Sequence, residues 1–169
     1  FEVLKQNKEI YMEGQGIHTA EINPRQVLLH TLSHILINEL SLEAGYSNAD
    51  LKERIYVNVK NNQNLMNAIL IYTASGDSEG SMGGLVAQSE PDYLKNIIDT
   101  AIERAEWCSS DPICIESKGQ GPNSCNLSAC HNCALLPETS CELGNMFLDR
   151  GMLIGTMDNK ELGFFNKWE

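Results

Sequence analysis

The chain has 169 residues, 42% hydrophobic and 21% charged, an ordinary globular composition with enough apolar material for one domain and its core. No run approaches the roughly eighteen consecutive apolar residues of a membrane span, so no membrane partner is expected. The formal net charge is −11, from 23 acidic against 12 basic side chains, which opposes phosphate backbones in general while leaving room for a local basic face.

The opening stretch, FEVLKQNKEIYMEGQGIHT, has neither an initiator methionine nor an apolar signal core, so the chain is expected to be a piece of something longer that begins upstream of Phe1 and is not a secreted precursor. His18 in this stretch has no partner visible from sequence. INPRQVLLHTLSHILINELSLEAGY predicts an amphipathic helix, with Asn23 as N-cap, Pro24 at the first helical position and Gly45 as its stop. Leu28, Leu32, Ile35 and Leu36 share one face, with Leu29 and Leu40 at its edge. His30 and His34 lie one turn apart on the same helix, the spacing of a two-histidine metal site. A zincin would need a Glu directly after the first His, and position 31 is Thr, so the expected role of both imidazoles is to flank the core, hydrogen-bonded or partly solvated.

ERIYVNV and NAILIYTAS are β-branched and aromatic runs separated by the polar KNNQNLM, which predicts two strands joined by a loop. The glycine-rich loop Gly76–Gly84 could in principle cradle a phosphate. It lacks the Lys-Ser/Thr ending of a P-loop, however, and Asp77 and Glu79 would repel an anion, so it reads as a turn. SEPDYLKNIIDTAIERAEWC predicts a second helix, with Ser89 and Asp92 spaced as a capping box and Leu94, Ile97, Ile98, Ala101 and Ala105 as its apolar stripe. Further on, CELGNMFLDRG reads as a short helix and MLIGTM as a closing strand.

All six cysteines (Cys108, Cys114, Cys125, Cys130, Cys133 and Cys141) fall in the last third of the chain. Disulfide frameworks usually serve small secreted domains with weak cores, and here a long cysteine-free stretch can build a core unaided. Cys130 and Cys133 form a Cys-x-x-Cys pair in the loop SKGQGPNSCNLSACHNC, not at the strand-to-helix junction of a thioredoxin-like redox motif, so metal ranks first and redox second. A closed structural zinc site needs four ligands. Cys108 and Cys114 bracket the turn SSDPIC and Cys130 and Cys133 form a knuckle, with Cys125 and Cys141 competing for places. His131 is a poor ligand, because its neighbour Cys130 would already point at the ion. Four thiolates with one Zn²⁺ leave a net −2 and no open position for water, which argues against catalysis there.

The ordered series LLHTLSHILI, IYTASGDSEGSMGGL, CSSDPIC and ACHNCALLPETSCELGNMFLDR resembles the MrfA-type zinc-binding domain family, formerly a domain of unknown function, and the version of it carried at the C-terminal end of a subunit of DISARM antiphage systems. The resemblance runs from about Gly16 to Gly155. It implies a domain that accompanies superfamily 2 DNA helicases, with zinc ligands that carry over to Cys108, Cys114, Cys130 and Cys133. The chain departs from the family's Cys-x-Cys and Gly-Cys-x-x-Cys spacing: its first pair is wider, and Cys125 and Cys141 are extra, with Cys141 as the substitute ligand.

The expectation is thus a single domain over residues 1–169, α/β (α+β), with a small sheet flanked by helices and a four-cysteine zinc-bound loop over 108–141. It would be a non-enzymatic accessory module with one zinc, docking onto a helicase subunit or domain in the cytoplasm and meeting DNA indirectly or weakly. The competing readings are a direct nucleic-acid binder and a metal-dependent hydrolase using His30 and His34 with Asp77 or Glu79.

Overall fold

A computed structural model describes residues 1–15, 22–57, 66–73 and 84–167. In chain order the elements are α1 (Glu2–Gln15), α2 (Pro24–Ala44), β1 (Leu51–Val57), β2 (Asn67–Thr73), α3 (Gly84–Ala87), α4 (Pro91–Ala105) and α5 (Gly151–Ile154), with short 3-10 turns in the connecting segments. The architecture is mixed α+β.

The central piece is α2. The Asn23 side chain accepts a hydrogen bond from the Arg25 N–H at 2.8 Å, Pro24 opens the first turn, and Gly45 closes the helix at φ 72°. Only glycine adopts that left-handed conformation cheaply, which is why the helix stops there. Its burial is wider than an amphipathic stripe. Val27, Ile35, Ile37 and Leu40 are inside, and so are His30, Ser33, His34 and Glu39, while Leu28 and Leu32 are partly covered. Neighbours therefore enclose the helix on several sides, and its polar residues must find partners within the protein.

The strands β1 and β2 form an antiparallel hairpin running from Leu51 opposite Thr73 to Val57 opposite Asn67. The hairpin packs on α2, with Leu51 fully buried and Ile71 against the core. The loop expected between the strands lies outside the described residues except for Met66, as do His18, Asp77, Glu79 and most of the glycine loop Gly76–Gly84. On another side of α2, α4 contributes Ile97, Ala101 and Ala105 from the predicted stripe, and Ile98 packs beside them, whereas Leu94 is largely exposed. A second apolar cluster joins Leu4 of α1, Val27, Cys125 and Phe147. Its polar seam is the Asn7 amide, which donates to the Lys118 and Ser124 carbonyls.

Three local expectations need correction. The capping box does not form: Glu90 holds the N-cap position of α4, without a side-chain cap, and the Ser89 hydroxyl donates instead to the Val86 carbonyl at 2.6 Å, closing the turn after α3. The segment from Cys141 to Arg150 is not a helix, because Gly144, Asn145 and Phe147 adopt φ values of 58°, 60° and 65°, in the left-handed region. MLIGTM is not a strand. Its first half belongs to α5, whose start is held by the Asp149 carboxylate accepting the Gly151 N–H at 3.0 Å. Gly155, at φ 83°, then lets the chain pass so close to Lys160 that a Cβ would lie 2.4 Å from its carbonyl oxygen.

Candidate metal centre

The four cysteines expected to share a metal arrive from two loops held by one ion pair. Helix α4 ends at Ala105 and passes the chain to Cys108, where a tight turn begins. The Asp111 carboxylate sits at the centre of that turn, accepting the Cys108 N–H at 2.9 Å and the Ile115 N–H at 3.0 Å, while the Cys114 N–H closes onto the Ser110 carbonyl. Arg150, wholly buried, donates to both Asp111 oxygens at 2.6 and 2.9 Å and to the Ala105 carbonyl at 2.8 Å. One guanidinium therefore locks the end of α4 to the cysteine turn, and its charge acts on the nearby Cys133 and Cys114.

The second loop is the knuckle. Cys133 and Ala134 both donate backbone N–H groups to the Cys130 carbonyl, and the Cys130 N–H points at the Cys133 sulfur. Two cross-links dock it on the first turn: Ser128 Oγ to the Ile115 carbonyl, and the Asn132 amide to Ser110 Oγ, both at 2.8 Å. The Gln120 amide reaches the Cys114 carbonyl at 3.1 Å and its sulfur at 3.4 Å.

The result is a cluster in which all four sulfurs lie within 4.8 Å of one another. Cys108 and Cys130 are 3.6 Å apart, and Cys133 is 3.8 Å from both Cys114 and Cys130. A disulfide needs about 2.05 Å. Four Zn–S bonds of about 2.3 Å, by contrast, set tetrahedral sulfurs about 3.8 Å apart. Ionisation of the thiols follows the same logic. Burial opposes ionisation of Cys130, but the Asn132 N–H and the neighbouring thiols outweigh it and bring its pKa below the ordinary value. Burial, with Cys130 adding to it, pushes Cys114 up to about 11. Cys133 is pushed far higher still, by burial first and then by repulsion from the other three sulfurs. Four thiolates cannot gather here without a cation, and this donor set fits zinc.

The remaining cysteines go elsewhere. Cys125 is fully buried beside Leu4, Val27 and Phe147, where burial raises its pKa, and its thiol meets the Asn123 carbonyl at 3.5 Å. Cys141, the expected substitute ligand, belongs to a different cluster, in which its sulfur meets His30, His34 and Glu53. His131 is exposed. The two α2 histidines are 0% exposed and meet edge-on, their ring centres 4.6 Å apart. Sequence reasoning missed Asp111, Arg150 and Glu53. Each has an ion-pair partner 19 or more positions away in the chain, and no local spacing signals that.

Likeness to known proteins agrees with this geometry. A family model described as the MrfA Zn-binding domain matches residues 32–134, a stretch that includes Cys108, Cys114, Cys130 and Cys133. The DISARM protein DrmB of Bacillus paralicheniformis is 47% identical over 139 residues, 82% of this chain and 24% of that protein. The chain thus spans about a quarter of the length of that relative. A match over more than half the chain, on a fold that gathers four sulfurs at zinc-like spacing, settles the family: the chain belongs to the MrfA Zn-binding domain family, whose metal is zinc.

Proposed function

We propose that Cys108, Cys114, Cys130 and Cys133 hold a structural zinc, and that the domain is a non-catalytic docking module of a DNA-processing antiphage assembly. The observation that carries this reading is the closed all-sulfur cluster joining the end of α4 to the 130–133 knuckle. Four protein sulfurs fill a tetrahedral ion and leave no site for a reacting water, so the metal supplies shape. What it shapes is the segment from Cys108 to Cys141, which has little regular secondary structure and depends on side-chain cross-links.

The partner in this reading is a helicase subunit or a helicase domain of the parent protein, in keeping with the DISARM relative. DNA is met through that partner. The −11 charge opposes a polyanion, and four thiolates with one zinc make the domain two units more negative still. The test is co-purification of the parent protein with the helicase of its own system, before and after Cys130→Ser. Loss of both zinc and helicase in the variant supports the module. Full helicase binding by a zinc-free variant contradicts it.

A further inference from the structure

We propose that His30, His34, Glu53 and Cys141 form a second closed metal site, for zinc or a divalent ion that likewise accepts imidazole, carboxylate and thiolate together. This goes beyond the zinc-cluster reading and stands on other residues. His30 and Cys141 lie outside the stretch that matches the family, residues 32–134.

The four side chains come from three parts of the fold. His30 and His34 are successive-turn residues of α2, Glu53 points in from β1, and Cys141 closes the 3-10 turn Glu138–Ser140. Their placement is fixed from outside: Ser140 Oγ donates to the Asn48 carbonyl at 2.7 Å, and the Glu142 carboxylate accepts the Ile55 N–H at 3.2 Å and pairs with Arg54. One donor atom from each of the four lies within 4.8 Å of the others. His30 Nε2 is 3.0 Å from Glu53 Oε1 and 3.2 Å from Cys141 Sγ, and His34 Nε2 is 3.3 Å from the same Oε1. Zinc with N and O ligands at about 2.0–2.2 Å holds them roughly 3.3–3.6 Å apart, the separation of His34 from Glu53, while the two His30 contacts are at hydrogen-bond length and would open slightly around an ion.

Hydrogen-bond bookkeeping calls for a cation here. His34 Nδ1 is 2.8 Å from the Ala134 carbonyl, which can only accept, so Nδ1 carries the hydrogen. In the neutral ring Nε2 then presents a lone pair to Glu53 Oε1, another lone pair, and both atoms are buried without a hydrogen-bond partner. That arrangement, with one ring nitrogen held by a backbone carbonyl and the other aimed at a convergence of acceptors, is how proteins orient a metal-binding histidine. The same Oε1 also receives His30 Nε2, while the carboxylate's other oxygen rests against Ser33 Oγ. Cys141 Sγ accepts two backbone N–H groups, from Asn145 at 3.2 Å and Leu143 at 3.4 Å, a setting that satisfies a thiolate.

Charge and burial point the same way. His30 and His34 are 0% exposed and Glu53 is 1% exposed, so a net charge left here would be expensive. One carboxylate, one thiolate and a divalent ion sum to zero. Protons alone must serve by charging the rings. Four protein donors again leave no place for water, so the site is structural and does not revive a His30/His34 hydrolase. The two centres would share a seam, since Ala134, which holds His34, directly follows Cys133.

The experiment is metal analysis of the purified full chain, combined with X-ray absorption at the zinc edge. The expected result is two zinc ions per chain, with five sulfur donors and three nitrogen or oxygen donors divided between them. Cys141→Ala should leave one zinc with an all-sulfur environment, and Cys130→Ser with Cys133→Ser should leave one zinc with a single sulfur. Should Cys141→Ala fail to fold, Glu53→Gln, of the same size, should weaken one of the two zinc ions by about tenfold or more in competition with a chromogenic chelator. One zinc per chain in an all-sulfur environment, unchanged by Cys141→Ala or Glu53→Gln, overturns the second site and leaves a hydrogen-bonded core cluster. One zinc with a single sulfur would instead overturn the four-cysteine assignment and uphold this site.

Discussion

Arg150 shows how much one side chain can determine. It is 0% exposed, its only carboxylate partner among the described residues is Asp111, and that carboxylate organises the turn carrying Cys108 and Cys114. Replacing it with Met would leave Asp111 facing a dry wall without its counter-ion, and breaking such a pair costs about 3–5 kcal/mol. Arg150→Met is therefore expected to lower the unfolding midpoint in urea and to release zinc to a chelator faster than the wild type. Arg150→Lys keeps the charge but loses the fork that reaches Asp111 and the Ala105 carbonyl together, and should fall between the two. Cys125 is a residue of another kind. Its thiol packs against Leu4, Val27 and Phe147 with the Asn123 carbonyl 3.5 Å away as an acceptor, so Cys125→Ser should cost about 1 kcal/mol while leaving bound metal unchanged. Thermal unfolding with zinc analysis separates the two effects.

At the scale of elements, what could be read in advance was whatever is encoded within a few residues. Asn23-Pro24 and Gly45 mark both ends of α2 because capping is local chemistry, and the hairpin follows from two β-branched runs. The Ser89–Asp92 spacing was misleading because a competing local bond, Ser89 Oγ to the Val86 carbonyl, takes the hydroxyl first. The segment 141–157 was misread because its conformation is set by tertiary packing. Asn145 adopts a left-handed φ so that its side chain can pair with both backbone groups of Leu136, at 2.9 and 2.8 Å. The spacing of the cysteines points to a metal, whereas His30 and His34 read from sequence as core-flanking imidazoles, and Glu53 comes into view beside them only when β1 folds onto α2. Gly155→Ala tests the closing segment: φ 83° and the 2.4 Å approach to Lys160 exclude a side chain, and such strain costs about 1–3 kcal/mol. The expected readout is a lower melting temperature, with amide protection lost first around α5.

For the whole molecule, composition sets the strongest constraint. With 12 basic side chains against 23 acidic ones, and Arg54, Lys95, Arg104 and Arg150 held in ion pairs, the balance of charge opposes a polyanion. No helix of the described structure is long and apolar enough to cross a membrane. The domain by itself is expected to bind single- or double-stranded DNA weakly even at low salt, and to show neither ATPase nor nuclease activity. Each phosphate contact lowers the affinity by about 0.9 log unit per tenfold increase in salt, so a tight low-salt complex with a slope of about six contacts or more would recast the domain as a DNA-contacting element.

Zinc bound by Cys108, Cys114, Cys130 and Cys133 as part of the fold is the central claim, and the most direct test compares zinc per chain in Cys130→Ser and Cys125→Ala. The expected result is that Cys130→Ser loses one equivalent of zinc, together with amide protection across residues 108–141, while Cys125→Ala keeps the full wild-type content. Equal zinc loss in the two variants, or none in either, would contradict it.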